Sequence, residues 1–269
     1  MSKESEQIRS NLIQYAEENR FSILFRGNET RTVIIGEQHQ IPLPSHNEQQ
    51  SQQIKLMESI KPGKLLHEGF TCFEYQGKTG EFGASRTAPI SEGEVDAWLE
   101  YLKGNYPDSP VVKFQPLLDL ANKISLHIIG CDLTFAEVED IVLNNNPYRN
   151  KILDLTRNNQ VLLLSVLSLG CVKPRADHMF TTISQHQGTP EKPSMAIIGI
   201  EHALDVRYDR PELTDYCLIE QVPKEIRRKM LPYHQGLKEN AGRFAQLISK
   251  GEIAEPLAFF YEFANELNS

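Results

Sequence analysis

Cysteine is scarce in this chain of 269 residues, and basic charge is in deficit. The four cysteines, Cys72, Cys131, Cys171 and Cys217, are widely spaced and form no C-x-x-C pair. That removes the usual signature of a zinc or dithiol site and leaves reduced core thiols as the expectation. Lysine and arginine number 28 against 36 acidic residues, a net charge of −8. With no basic stripe to displace counterions from phosphates, a general nucleic-acid binder is not expected. Long apolar runs are also missing. The longest, Val161 to Val172, is interrupted by Ser165, Ser168 and Gly170 and falls short of the ~20 residues that cross a bilayer. The opening MSKESEQIRS lacks the apolar core of a secretory signal, so the expectation is a cytoplasmic protein that does not engage a membrane. Neither a Gly-x-Ser-x-Gly elbow, a Cys-His motif nor a Walker loop is present, so covalent serine or cysteine catalysis and P-loop chemistry are not indicated.

What is there suits a packed α/β protein. A hydrophobic content of 40% is enough for a full core, either one domain over 1–269 or two tightly joined halves. Short apolar runs at Arg31 to Ile35, Lys64 to His67, Leu126 to Gly130, Met195 to Gly199 and Tyr216 to Val222 alternate with helical segments. That is the pattern of a mostly parallel sheet flanked by helices. Helices are expected over 4–19, 45–60, 92–103 and 116–123. A long one starts at Asn146-Pro147 and carries Ile152, Leu155 and the apolar run to 169; another runs over about 174–187. The end of the chain, about 223–269, reads as helical with breaks near Pro232 and Pro256. The segment Gly69 to Gly93, with five glycines, fits no element and reads as a mobile lid or a plain insertion.

Internal repetition carries the strongest signal. Ile34-Ile35-Gly36-Glu37-Gln38-His39 returns as Ile197-Ile198-Gly199-Ile200-Glu201-His202, with a partial echo in Ile128-Ile129-Gly130-Cys131-Asp132. Two related half-units, about 20–145 and 146–225, are the expectation. Each copy sets a glycine where a buried strand is expected to stop and a polar side chain beyond it, on the carboxyl edge where open α/β sheets bind ligands. His39 and His202 therefore become the two anchors of a candidate site, with Glu37 and Glu68 as its carboxylates. Lys64-Leu65-Leu66-His67-Glu68-Gly69 has the same format, and His67 is expected to point to the opposite face from Glu68.

At these residues the chain resembles the superfamily of erythromycin esterases, TraB and pheromone-shutdown proteins, Tiki peptidases and ChaN haem-uptake lipoproteins. The shared marks are two G-x-x-H motifs, here Gly36 to His39 and Gly199 to His202. Between them stand a glutamate after the second strand, here Glu68, and an R-[DN]-x-x-M helix, here Arg175 to Met179. The match covers about 30–205 in scattered motifs. It departs at Ala176, where the family has Asp or Asn, with Asp177 one place later, and at Gln40, where a glycine often stands. The resemblance implies a two-halved α/β fold of this type. Asp132, Asp177 and Met179 complete the set as candidate substrate contacts.

Histidine with carboxylates admits two hydrolytic forms. Without metal, His39 takes a proton from water, Glu37 or Glu68 orients its ring, and Arg175 or His202 stabilises the oxyanion as water attacks an ester or amide carbonyl. With metal, His39, His202 and Glu68 hold a divalent transition metal that activates the water. Similarity to the esterases favours the first form and similarity to the Tiki peptidases the second. The substrate would be a small molecule or peptide. A haem or small-molecule binder of the ChaN kind and a catalytically silent interaction protein remain as alternatives.

Overall fold

The computed structural model describes residues 2–37, 46–68, 73–75, 78–80, 100, 104, 115–124, 126–133, 135–157, 160–210 and 213–268. Packing divides the chain into two compact units, Met1–Asp132 with Met179–Lys224, and Leu133–His178 with Glu225–Ser269. This division by packing is a different one from the division by repeat at about residue 145. The terminal helical segment belongs to the second unit.

The first unit is built on a six-stranded sheet. Its elements in chain order are α1 (Lys3–Glu18), β1 (Ser22–Arg26), β2 (Thr32–Glu37), α2 (His46–Ile60), β3 (Lys64–His67), β4 (Phe73–Tyr75), β5 (Lys78–Gly80), α3 (Gln115–Lys123) and β6 (His127–Gly130). After the second unit's first passage, β7 (Ser194–Gly199), α8 (Ile200–Asp209) and β8 (Tyr216–Glu220) complete it. The strand order is β1-β8-β2-β7-β3-β6, parallel throughout except for β1 against β8. The five expected strands are β2, β3, β6, β7 and β8. Strand β1, unforeseen, adds an antiparallel edge. β4 and β5 pair antiparallel within the glycine-rich segment, of which the remainder lies outside the described residues, as does most of the expected 92–103 helix.

Alternation along the strands sends every second side chain to each face. Val33, Ile35, Leu65, Ile128, Met195, Ile197, Cys217 and Ile219 pack with Ile8 and Leu12 of α1, Leu56, Met57 and Ile60 of α2, and Leu117 of α3. The other face receives α8. A Cβ on Gly36 would stand 2.6 Å from the Ala203 Cβ and 2.8 Å from the Ile200 Cδ1. The glycine therefore sits inside β2 and makes room for the helix; it does not end the strand as expected.

β2 and β7 are hydrogen-bonded neighbours, with Ile35 opposite Ile197 and Gly36 opposite Ile198. The repeated Ile-Ile-Gly triplets thus lie side by side but one residue out of register. Because the side-chain period is two, corresponding members of the two copies face opposite sides of the sheet.

The second unit is helical: α4 (Phe135–Glu139), a π-helical turn Asp140–Asn144, α5 (Arg149–Thr156), α6 (Gln160–Gly170), the N-terminal half of α7 (Val172–Gln185), α9 (Lys224–Ser249) and α10 (Ala254–Asn268). The long helix expected from Asn146 is two shorter ones. Asn146 Oδ1 accepts from the Tyr148 amide at 2.8 Å and Asn146 O from the Arg149 amide at 3.0 Å, so a turn precedes α5. The expected break at Pro232 is absent, and α9 runs through it. Pro232 and Arg228, whose carbonyl loses its helical donor, are both exposed, which leaves that oxygen to water. The break falls at Gly251, which takes a left-handed φ of 69°. The Glu252 amide donates back to Leu247 O at 3.0 Å, a glycine-terminated helix end. Pro256 then stands in the first turn of α10, where a missing N–H is harmless. Phe259 stacks on Tyr233 with centroids 5.0 Å apart and tilts against Phe244 at 5.3 Å. No helix among the described residues is long and apolar enough to cross a membrane.

Candidate functional site

The parallel strands all deliver their carboxyl ends to one edge of the first unit. Along it stand Glu220 from β8 and Gln221 just after it, Glu37 from β2, Gly199 from β7, Glu68 after β3, and Cys131 and Asp132 after β6. Two polar groupings form there.

The first surrounds Glu68 and His202. Gly199 is the residue before α8, and no side chain of its own caps that helix. The carboxylate of Glu68 supplies the missing anion: its Oε2 accepts from the Gly199 amide at 2.5 Å, where the helix start favours negative charge. Its Oε1 lies 3.9 Å from His202 Nε2, and both side chains are largely but not wholly covered, 14% and 12% exposed. At that separation they form an ion pair when the imidazole is protonated, one step short of a hydrogen bond. The residual exposure lets a small molecule or water reach them.

Cys131 sits beside this pair. Burial pushes its thiol well above the usual thiol range, and the charges of Glu68 and Asp132 push it further. Burial raises Cys217 in the same way, with Arg9 opposing weakly. Both thiols stay protonated at neutral pH and are not nucleophiles. Cys131, Cys171 and Cys217 are free and buried, as expected of core thiols; Cys72 lies outside the described residues. A pH effect on stability follows. The folded thiols titrate above the unfolded ones, so their contribution is fully present below the unfolded pKa and is lost as pH rises through the folded one. Urea midpoints are expected to fall from about pH 8 to about pH 10, and a Cys131→Ala, Cys217→Ala double variant should flatten that fall.

The second grouping lies towards α2. Glu37, the last residue of β2, is 1% exposed, and its Oε2 accepts from Gln53 Nε2 at 2.9 Å. The same Nε2 donates to Gln221 Oε1 at 3.0 Å. Gln221 Nε2 donates to Gln49 O and to Gln52 Oε1, each at 2.9 Å, and its amide donates to Gly36 O at 2.8 Å. Gln221 thus pins the ends of β2 and β8 to α2. These glutamines were not foreseen. Their signal was available: Gln49, Gln50 and Gln53 continue the stripe of Leu56, Met57 and Ile60, so amides occupy positions where a helix turns its apolar face inward. Substituting Gln53→Leu keeps the volume but removes donors to Glu37 and Gln221. A loss of about 2 kcal/mol in urea unfolding is expected, with unchanged far-UV circular dichroism; a loss within about 0.5 kcal/mol would mean that the amide does not hold Glu37.

The remaining candidates divide between the two units, apart from one that is undescribed. His39 lies outside the described residues. Asp132 is buried after β6. Met179 has no exposed surface and belongs to the first unit, whereas Arg175, half-buried, and Asp177, exposed, belong to the second. His67 is buried at the end of β3. Among the described residues no group of three His, Cys, Asp or Glu side chains stands at metal-binding spacing; of the three expected ligands, only Glu68 and His202 are described. No known protein family, curated protein or solved structure matches this chain.

Proposed function

We propose that the protein is a hydrolase of esters or amides in small molecules or peptides, with His202 and Glu68 as its acid–base pair. The observation that carries this reading is the 3.9 Å approach of these two side chains at the carboxyl edge of the sheet. His202 takes a proton from water while the water oxygen bonds to the substrate carbonyl carbon. Glu68 orients the ring and faces the positive charge that forms on it. Collapse of the tetrahedral intermediate breaks the bond to the alcohol or amine, which leaves with the proton returned by His202. His39, which lies outside the described residues, enters this reading as the second histidine on the strength of its Gly-x-x-H motif alone.

The ordered motifs from Gly36 to His202 support membership of the erythromycin esterase, TraB, Tiki and ChaN superfamily, and with it two related half-units that have since diverged in register. In a metal-assisted form Glu68 and His202 supply one oxygen and one nitrogen ligand. The test is turnover of a panel of nitrophenyl esters and peptide anilides by the purified chain, with and without chelator and added zinc or manganese. Hydrolysis that fails in His202→Ala and Glu68→Gln supports the reading. Full hydrolysis in both variants, or none by the wild type in any condition, overturns it.

A further inference from the structure

The second unit holds a cavity of about 430 Å³ between the π-helical turn Asp140–Asn144, the junction of α6 with α7, and the C-terminal half of α9. That volume suits a small molecule of about fifteen heavy atoms. The base is packed: Val142 and Ile248 are buried, and a Cβ on Gly170 would stand 2.9 Å from Val142 Cγ2. Asn146 ties two of the walls together, its Nδ2 donating to Val142 O at 3.0 Å and to Ile248 O at 3.3 Å. The Ser249 hydroxyl donates to Gln246 O at 2.7 Å. Both polar side chains are thus engaged with backbone, while Asn145 and Lys173 are exposed to water. The rest of the lining is apolar, chiefly Ile141, Val142, Val172, Ala241, Ala245 and Ile248.

Three features of these walls lack a reason among the described residues. Gly242 stands inside a helix of 26 residues, where glycine weakens the helix. Gly236 of the same helix is accounted for, because a Cβ there would meet Phe259 at 3.0 Å; a Cβ on Gly242 would meet nothing within 4 Å. Ile141, on the opposite wall, leaves 49% of its surface exposed. It also belongs to the π-helical turn, a rare and unfavourable widening of a helix that occurs mostly where function requires it. An apolar molecule seated between Gly242 and Ile141 accounts for all three. It would cover the isoleucine, use the space that the glycine keeps open, and rest against the wall that the π turn forms. A charged group at the base would lose its hydration and find no partner.

We propose that this cavity binds a small uncharged apolar molecule, aromatic or terpenoid in size and shape. It lies wholly within the second unit, and the site is independent of the hydrolase reading.

The test is thermal unfolding of the full chain with indole, camphor and naphthol at about 1 mM, where binding an order of magnitude tighter than that concentration raises Tm by roughly 2–4 °C. At least one of the three is expected to do so. Camphor sulfonate and naphthalene sulfonate, of similar shape but charged, are expected to fail. Gly242→Leu places its side chain in the cavity and removes a glycine from a helix, so the unliganded variant should gain about 2 °C in Tm and lose the response to the probe. Gly242→Ala should gain stability likewise but keep the response, which separates filling the cavity from strengthening the helix. Should Gly242→Leu not fold, Ile141→Asn, a half-exposed position, carries the test: it should weaken the apparent Kd, read from the concentration dependence of Tm, about three- to tenfold. The proposal is overturned if none of the three probes shifts Tm, or if the shift is undiminished in Gly242→Leu or, where that variant does not fold, in Ile141→Asn. It is also overturned if sedimentation shows a dimer that Gly242→Leu dissociates, since a second copy of the chain would then occupy the cavity.

Discussion

On the proposed hydrolytic reading, replacing His202 with alanine is expected to lower kcat/KM by about 10²- to 10⁴-fold, the usual contribution of a positioned acid–base group. Stability should change little, because His202 is partly exposed and its ion pair is a single 3.9 Å approach to Glu68. Glu68→Gln separates the two tasks of that carboxylate. A glutamine oxygen can still accept from the Gly199 amide and keep the start of α8 in place, but it brings no charge to the imidazole. The glutamine variant should therefore fold normally and lose rate, by less than the alanine variant. If His202→Ala lost stability and rate in parallel, the histidine would be a packing residue and the chemistry would lie elsewhere. Paired measurements of kcat/KM and urea midpoint on both variants decide this.

Gly36→Val is expected to be the most destabilising single change in the sheet, by about 3 kcal/mol, at the upper end of the cost of overfilling a packed core. Even the first added carbon would sit 2.6 Å from the Ala203 Cβ and 2.8 Å from the Ile200 Cδ1. Neither obstacle yields readily, since β2 is hydrogen-bonded on both sides and Ile200 and Ala203 are fully buried. Gly36→Ala should cost less. Ala203→Gly removes one of the two obstacles, so the cycle of Gly36→Ala with Ala203→Gly should show positive coupling of about 1 kcal/mol. Additive effects would mean that the helix simply shifts away. The readout is chemical denaturation, with activity measured alongside to see whether displacing α8 also moves His202.

Much of the sheet was legible because each core strand is a short β-branched or leucine run bounded by polar or glycine residues. β1 was not, since Ser22–Arg26 is only partly buried and alternates weakly. Nor was α8. A helix usually announces itself with a serine, threonine, aspartate or asparagine cap, and Ile200–Asp209 has none; the anion at its start comes from Glu68, far away in sequence. The same fact explains why Glu68 and His202 could be picked out singly, from their places after strands, while their meeting could not. The glutamines of α2 suggest a polar, solvated surface when residue type outweighs position. Only the continuation of the stripe into Leu56, Met57 and Ile60 marks Gln49, Gln50 and Gln53 as facing inward. Pro232 misleads in the opposite direction: a helix interior tolerates proline where the orphaned carbonyl is wet.

The offset between β2 and β7 bears on which substitutions each strand end tolerates. Identical triplets are read on opposite faces, with Ile34 turned towards α8 and Ile197 towards α1 and α2. Exchanging the two segments would change nothing over Ile-Ile-Gly and would be harmful one residue later. Isoleucine would replace the carboxylate that Gln53 holds, or glutamate would enter the buried first turn of α8.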